Sequence, residues 1–323
     1  MDSGIVVETL RSVLASSTPL VYAGIGELLT ERSGITNLSL DGSILVAAMA
    51  GFALAYLTGS LLLGFALAMV VGALIALLVA SSSIYLKQDQ VAIGFVLTLL
   101  MAEVSSFVGR PFVRVPGPSV PSWPLPGLAS IPVVGPALFD QNVLVYLSYL
   151  LIVGAWVWVY RTEPGLRLRA IGERPEAAFA RGIPVNRLRL VYSAVGGALV
   201  GAAGAAYSLN VKLGWSHRHT AGMGWIALAI VIFAGWHPLR VALGAYLFGA
   251  LKSLGSLLQP VYPDVPTQVF QAAPFALMIV ALLIVSRDYT GFERRVPARL
   301  APLVRAILQG SAPAALGKRF EQG

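Results

Sequence analysis

The sequence SLLLGFALAMVVGALIALLVA, residues 60–80, is the plainest structural signal in the chain. It contains no charged side chain, and as a helix it would be roughly 30 Å long, which is the thickness of the hydrocarbon core of a bilayer. A helix also satisfies its own backbone hydrogen bonds, as a segment surrounded by lipid must. Residues 60–80 therefore predict a transmembrane helix.

The composition of the whole chain agrees with this local signal. Of the 323 residues, 57% are hydrophobic and 12% are charged, and the mean hydropathy is +0.77. An ordinary soluble domain has roughly 25% charged residues, so this composition excludes a water-soluble globule, and its apolar content also excludes a disordered chain. The sequence contains no cysteine, which excludes disulfides, cysteine nucleophiles, thiolate metal sites and iron–sulfur clusters.

Apolar stretches of comparable character recur along the chain and predict an all-α, polytopic membrane protein with about nine helices, within a range of eight to ten. The predicted spans are residues 11–29, 39–58, 60–80, 91–109, 141–160, 191–210, 224–236, 240–258 and 268–286. The seventh is short and ends at the turn Trp236-His237-Pro238, which is typical of a broken or partial span. No positive region precedes the first span, so we keep it in the mature protein rather than interpret it as a signal peptide.

The basic residues predict the orientation. If the loop 161–190 is cytoplasmic, alternation of nine spans places 17 of the 23 lysines and arginines on the cytoplasmic side, as the positive-inside rule requires. The N-terminus is then external, and the basic tail 287–323 follows the membrane domain 1–286 on the cytoplasmic side. The net charge of +8 therefore reflects topology. A nucleic-acid partner is not expected, because no basic face with interleaved aromatic residues occurs.

Two loops interrupt this pattern. Residues 110–140 contain eight prolines and predict an extended outer loop, which is either a passive connector or a docking surface for an external partner.

In the loop 161–190, Pro175 suits a first helical turn, and Gly182 followed by Pro184 ends the helix. These signals predict one helix of about seven residues, either a knob that fits the groove of a soluble partner or a loop helix resting on lipid headgroups.

Three ordered motifs carry a family resemblance. They are LTERSGITNLSLDG at 29–42, GERPEAAFARGI at 172–183, and TAGMGWIALA at 220–229 followed by FAGWHPL at 233–239. The chain resembles ABC-importer permeases of the branched-chain amino acid, simple-sugar and nucleoside superfamily. Its short N-terminus is most similar to the nucleoside subgroup linked to basic membrane proteins. Asp41 stands where that family usually has glutamate, Ser39 where glycine is common, and Ala234 where a glycine often precedes Gly235.

The resemblance implies a type II importer-like fold with an inverted repeat, located in the cytoplasmic (inner) membrane. Its implied partners are ABC ATPase subunits, a second permease in a heterodimer, and an extracytoplasmic substrate-binding protein. The chain has no phosphate-binding loop, since Gly317-Lys318-Arg319 lacks the upstream glycine and the hydroxyl residue. ATP and Mg²⁺ are therefore expected on the ATPase partners, and no cofactor or catalytic residue on this chain. The residues implied in ATPase coupling are Gly172, Glu173, Pro175, Glu176, Ala177, Ala178, Ala180, Gly182 and Ile183.

A solute path is predicted from broken helices, because transporters built from repeats often bind solute where a helix is interrupted in each half. The candidate segments are 34–42 and 220–235, with Asn37, Ser39, Asp41, Gly42, Gly222 and Gly224 as the candidate residues. Alternatively, Asn37 caps the following helix and Asp41 neutralises its N-terminus. The three histidines are too poorly aligned for a metal site.

The function predicted from these features is ATP-driven import of a small polar solute, a nucleoside or a simple sugar. Branched-chain amino acid uptake is the alternative within the same class. An ion-coupled secondary transporter is the alternative from a different class, but it should carry acidic or basic relays near the middle of the membrane, and these are scarce here. An intramembrane enzyme should show a constellation of histidine and carboxylate residues, and the sequence has none in evident register.

Overall fold

A computed structural model describes residues 3–132, 134–220, 222–285 and 311–320. All regular secondary structure within those ranges is helical. The helices are α1 (Ser3–Arg32), α2 (Leu40–Thr58), α3 (Leu61–Tyr85), α4 (Gln90–Val108), α5 (Val134–Phe139), α6 (Val143–Arg161), α7 (Glu163–Glu173), α8 (Pro175–Ala180), α9 (Val185–Ala206, continued as π-helix over Tyr207–Val211), α10 (Met223–Phe233), α11 (Pro238–Leu258) and α12 (Thr267–Val285).

Each of the nine predicted spans overlaps a helix, namely α1–α4, α6 and α9–α12. Within the described ranges, six helices are long and apolar enough to cross a bilayer: α2, α3, α4, α6, α9 and α11. The seventh predicted span corresponds to α10, which has only 11 residues and is roughly 16 Å long. The chain is a multi-pass membrane protein, and the count of nine stays a prediction. Residue 286 of the last span and residues 287–310 and 321–323 of the tail lie outside the described residues.

Helix α9 lies at the centre and packs through a face of small residues. A β-carbon on Gly72 of α3 would lie 2.7 Å from the backbone nitrogen of Gly201, and one on Gly197 would lie 2.5 Å from the carbonyl oxygen of Gly72. Two helix backbones approach this closely only where no side chain intervenes, as is usual between membrane helices. The small residues of α9 therefore allow it to pack closely against α3.

The same sequence of elements occurs in both halves of the chain. Helix α1 is followed by a non-helical segment, 33–39, before α2, and α9 is followed by a non-helical segment, described over 212–220 and at Gly222, before α10. Each segment contains a glycine in the left-handed region, Gly34 at φ +95° and Gly222 at φ +76°, a conformation that glycine adopts without strain. Helices α1 and α9 run antiparallel, since Gly34 contacts Arg189 at one end and Gly26 contacts Val200 further along.

The proline-rich loop 110–140 covers one end of the bundle. Its backbone is irregular apart from short helical turns, because proline cannot donate a backbone hydrogen bond. The loop is tied down by the Arg114 amide, which donates to the carbonyl of Trp215 (3.2 Å), and by the Val120 amide, which donates to the carbonyl of Leu209 (3.2 Å). It therefore lies over the π-helical end of α9, and its role as a docking surface stays a prediction.

The outer faces of the bundle are apolar. Leu62 is 79% exposed, Leu74 56% and Leu99 56%. A soluble protein rarely leaves such a continuous apolar surface in water, whereas lipid chains cover it without cost. The exposed leucines mark the faces of α3 and α4 that contact the bilayer.

Candidate functional site

The Glu31-Arg32 pair at the end of α1 binds the turn between α10 and α11. The Trp236 indole donates to the carboxylate of Glu31 over 2.5 Å, and both residues are buried. Arg32 donates to the carbonyl of Trp236 through Nε (3.0 Å) and Nη2 (2.9 Å). Hydrogen bonds to charged groups are the stronger ones. Two of the sequence motifs, about two hundred residues apart, are thus joined at one end of the bundle.

The predicted solute-path segments meet at a second point. An oxygen of Asp41, in the first turn of α2, accepts the backbone N–H of Gly224, in the first turn of α10, at 3.0 Å. A β-carbon on Gly224 would collide with the backbone of Asp41. Two helix N-termini therefore face each other, and both present positive dipole ends to one carboxylate. The structure brings Asp41 and Gly224 together. Gly222, the residue before α10, makes no hydrogen bond to Asp41 among the described contacts.

The remaining residues of this predicted path are buried beneath α2. The Asn37 side-chain oxygen accepts from the Ser39 backbone (3.1 Å) and from the Ser39 hydroxyl (2.5 Å), and the Ser39 and Ser43 hydroxyls lie 3.2 Å apart. Asn37 is 1% exposed. A β-carbon on Gly42 would lie 2.6 Å from the carbonyl oxygen of Thr98. In this conformation Asn37 holds the local turn at the start of α2, and Gly42 permits close packing with α4.

The predicted coupling segment forms two helices rather than one. Helix α8, Pro175–Ala180, is the short helix that proline and Gly182 predict, and Gly182 has φ +78°. Helix α7 was not predicted, although Thr162 and Pro164 give the signal: the Thr162 hydroxyl accepts the Gly165 amide at 3.2 Å and Pro164 occupies the first turn. A cap followed by proline is a standard helix start, and it can be read from the sequence.

Burial divides the coupling residues into two groups. Gly172, Pro175 and Ala178 are buried, and Ile183 is partly buried. Glu173 is partly exposed. The exposed coupling residues on α8 and just after it are Glu176, Ala177, Ala180 and Gly182. The buried residues can only fix the helix to the bundle, so a partner could contact this segment only through the exposed ones.

Arg32 connects the coupling segment to the bundle. Its Nη1 lies 3.9 Å from a carboxylate oxygen of Glu173, and its Nη2 donates to the hydroxyl of Tyr160 over 3.3 Å. The Tyr160 ring stacks on His237 with centroids 5.1 Å apart, and the Arg169 guanidinium lies 5.3 Å from the same ring. One side chain thus contacts the ends of α6, α7 and α10.

The segment 311–320 completes this cluster, and sequence reasoning did not anticipate it. The Ala315 amide donates to the carbonyl of Gly172 (2.9 Å) and the Gly317 amide donates to the carbonyl of Gly34 (3.1 Å). Arg189, 1% exposed, donates to the carbonyls of both Ser33 (3.1 Å) and Lys318 (3.2 Å). Phe320 packs edge-on against Phe179 of α8 at 5.6 Å. The segment therefore touches α8, α7 and the break after α1 together.

Two histidines have strongly perturbed environments. Burial lowers the pKa of His219 to about 4, and the charge on Lys212 lowers it further, against a backbone hydrogen bond to Ser216 that raises it. Burial, with Arg240 and Arg32 nearby, likewise lowers the pKa of His237 to about 4. Both imidazoles are neutral at pH 7. Over the described ranges, no three histidine or carboxylate side chains converge on a position that could hold a metal ion.

Comparison with known proteins identifies the family. The family of branched-chain amino acid transport system permease components matches residues 9–282. The chain belongs to this family. It is 39% identical over 249 residues to a putative glucose ABC transporter permease protein of Haloferax volcanii, covering 76% of each chain. This membership confirms the resemblance to ABC permeases and makes the chain a permease component rather than an ATPase.

Two further relatives are similar over nearly their full length. A nucleoside ABC transporter permease protein of Lactococcus lactis is 31% identical across 86% of this chain and 93% of its own. A guanosine ABC transporter permease protein of Bacillus subtilis is 32% identical across 89% and 92%. No solved structure gives a significant match.

Proposed function

We propose that this chain is the transmembrane subunit of an ATP-driven importer for nucleosides or simple sugars in the cytoplasmic membrane. The observation that carries the proposal is the Arg32 cluster, in which Arg32 joins α7, the helix directly before the exposed α8, to the α10–α11 turn. The solute class is supported by relatives named for nucleoside, guanosine and glucose transport.

In this proposal the coupling residues act as a lever. An ATPase subunit binds the exposed side of α8, and its movement on binding ATP displaces α8 and α7 as one body. Because Arg32 bonds both Glu173 and the Trp236 carbonyl, displacement of α7 is passed to α1 and to the α10–α11 turn. Rigid-body rocking of this kind is how alternating access is usually achieved.

The partners follow from the family. ABC ATPases and an extracytoplasmic binding protein are the components that an ABC importer permease works with, and ATP with Mg²⁺ binds on the ATPases. A second permease chain in a heterodimer completes the assembly in our proposal. The hydrogen-bonding groups of the solute path are Asn37, Ser39 and Asp41, with Gly42, Gly222 and Gly224 allowing the backbone to approach.

The topology that we propose has nine spans, an external N-terminus and a cytoplasmic tail, 287–323. The antiparallel packing of α1 with α9 supports it, as does the repeated order of helix, break and helix in the two halves, which we interpret as an inverted repeat. In this orientation 161–190 is the cytoplasmic coupling loop and 110–140 is external. The membrane domain, 1–286, ends where the tail begins.

The orientation can be tested in the natural cysteine-free sequence. Ala177→Cys on α8 should react with a membrane-impermeant maleimide only in inverted membrane vesicles, and Leu128→Cys in the proline-rich loop only in right-side-out cells. Both positions are exposed. Labelling of Ala177→Cys from outside intact cells would overturn the topology and the lever with it.

The function is tested by reconstitution of the full assembly with labelled guanosine, glucose and leucine. Gly182→Pro should abolish ATP-dependent uptake, because proline fixes φ near −65° where the native φ is +78° and removes the Gly182 amide that donates to Phe179 (2.8 Å). Gly127→Pro is the matched control, since Gly127 has φ +81° in open space on the outer loop. Leucine uptake alone would favour the amino acid alternative, and uptake driven by a proton gradient without ATP would disprove the class.

A further inference from the structure

A cavity of about 480 Å³ opens beside the junction of the two helix N-termini. Its walls come from α1, the π-helical end of α9, the segment 212–222, α11 and the start of α12. Ligand sites for small organic molecules usually have volumes of about 300–1,000 Å³. The cavity is therefore large enough for a nucleoside or a sugar, and it lies within this one chain.

The floor of the cavity is the first turn of α10. Met223 and Ile226 line it, and between them in sequence is Gly224, whose amide is held by Asp41. A solute in the cavity would contact Met223, the residue that precedes Gly224 of the contact between the two halves. By the proposed topology this is the external side of the junction, where a solute delivered from outside would arrive.

The charges lining the cavity select against cationic solutes. Lys212 and Lys252 both face it, and no carboxylate occurs among its described lining residues. An ammonium group placed there would meet two like charges without a counter-ion, which is costly in a partly buried site. Hydroxyl and amide groups, including Thr220, Ser256 and Gln259, offer hydrogen bonds to a neutral polar solute instead. The α-ammonium of an amino acid would find no carboxylate partner among these residues, and only its own carboxylate could pair with a lysine.

Aromatic rings distinguish between the two neutral solutes. Tyr207, His219, Phe248, Phe270 and Phe275 line the cavity. Tyr207 and His219 lie 5.4 Å apart, and Phe248 and Phe275 meet edge to face at 5.5 Å. A planar base can stack on these rings, while a hexose has no π-face of its own. Both ring nitrogens of His219 are hydrogen-bonded within the protein, to the Ser208 hydroxyl (3.3 Å) and the Ser216 carbonyl (3.0 Å), so His219 offers a solute its ring face.

We propose that this cavity binds a nucleoside, with the base among the aromatic side chains and the ribose toward Gln259 and Lys252. This inference rests on the proposed function and narrows its solute class to nucleosides. Phe248 and Tyr207 would contact the base. Lys252 and Gln259 at the rim would contact polar groups of the sugar.

The test measures occupancy of the cavity without requiring transport. Ser256→Cys is the only thiol in the chain and lies in the cavity, so its reaction rate with a small methanethiosulfonate reports whether the cavity is filled. In the purified full assembly, millimolar guanosine or adenosine should slow the reaction at least threefold, while glucose and leucine leave it unchanged. Leu128→Cys in the outer loop is the control, and its rate should not respond to any solute.

A second variant links protection to the aromatic lining. Phe248→Leu in the Ser256→Cys background should remove most of the protection by guanosine and keep the same rate without solute. Because Phe248 is buried, Gln259→Ala at the exposed rim is examined in parallel and should weaken protection severalfold without affecting folding. If both variants keep full protection, the binding mode is wrong.

The outcomes separate this inference from the proposed function. Protection by glucose equal to that by guanosine would overturn the nucleoside assignment. If no solute protects Ser256→Cys while the same assembly imports guanosine with ATP, the cavity is not the binding site but the importer function stands. If the assembly takes up no nucleoside or sugar with ATP, the proposed function itself fails.

Discussion

The coupling end of this molecule, around Arg32, is filled by bonded side chains, whereas the cavity end, around Tyr207 and Phe248, encloses open volume. Around Arg32, charged and aromatic groups from α1, α6, α7 and the α10–α11 turn bond one another, and the segment 311–320 closes the cluster. Around Tyr207 and Phe248, polar and aromatic groups line open volume. A cluster of side chains that are bonded across several helix ends can transmit displacement, whereas an unfilled cavity can bind and release a solute. The difference suggests that force enters at one end and specificity resides at the other.

The largest effect is expected from locking the coupling end. A β-carbon on Gly317 would lie 3.4 Å from the Thr36 hydroxyl oxygen, and that oxygen stands at the γ position that the sulfur of Thr36→Cys would take, so the two cysteines could be bridged. We expect the oxidised double variant Thr36→Cys with Gly317→Cys to lose nearly all ATP-dependent uptake and a reductant to restore it. Each single variant should keep uptake under oxidation. Full uptake in the cross-linked protein would show that 311–320 need not move relative to the break after α1.

Removing Arg32 should weaken the same end without locking it. Arg32→Ala deletes two charge-assisted hydrogen bonds to Trp236 and the contact with Glu173, so we expect a loss of about 2–3 kcal/mol in stability and uptake reduced more than tenfold. Thermal unfolding and reconstituted uptake measure the two effects. Arg167→Ala is the control, because the Arg167–Glu163 pair is exposed and should change stability by less than about 0.5 kcal/mol.

At the Asp41–Gly224 contact, two variants distinguish the effect of the hydrogen bond from the effect of the negative charge. Asp41→Asn keeps an oxygen that can accept the Gly224 amide, and we expect a change in stability under about 1 kcal/mol. Asp41→Ala loses the acceptor and should cost about 1–2 kcal/mol, with a matching loss of uptake. Thermal unfolding of the two variants gives the comparison. Equal losses in both would mean that the negative charge, rather than the hydrogen bond, holds the two helix starts together.

Acidification should act at both ends, with an effect that is small near pH 6 and grows toward pH 4. His219 and His237 have pKa values of about 4 in the folded protein, below the ordinary value near 6.5. The unfolded chain therefore binds more protons between those values, so the stabilising contribution is complete above pH 6.5 and is lost as the pH falls toward 4.

Thermal unfolding between pH 7 and pH 4 should show this loss in the natural protein, and His237→Gln should reduce it. The histidine at the cavity gives a second comparison. We expect protection of Ser256→Cys by guanosine to weaken as the pH falls toward 4, because His219 lines the cavity. His219→Gln should remove this pH dependence of the protection. A pH profile unchanged in both variants would mean that other groups account for the sensitivity.

Local signals predicted the elements well. The apolar stretches placed the membrane helices, because length and hydropathy are properties of consecutive residues. Pro175 and Gly182 placed α8 for the same reason, and Thr162 with Pro164 could have placed α7.

The joined sites could not be read from the sequence. Asp41 and Gly224 are separated by 183 positions, and only the antiparallel arrangement of the two halves brings them together. The position of 311–320 against Gly172 and Arg189 depends on tertiary packing, because that segment is short and carries no periodic pattern. The cavity is a space between helices, and its aromatic lining comes from residues that each looked like ordinary interfacial or core side chains.

The tight seam between α3 and α9 bears on how this permease could change during evolution. Even a methyl group at Gly72, Gly197 or Gly201 would meet backbone atoms. A substitution by alanine, the smallest possible change, is therefore already unfavourable at these positions. Cavity-lining positions have room for new side chains. New solute specificities can therefore arise by substitution of residues that line the cavity, while the packing of α3 against α9 stays the same.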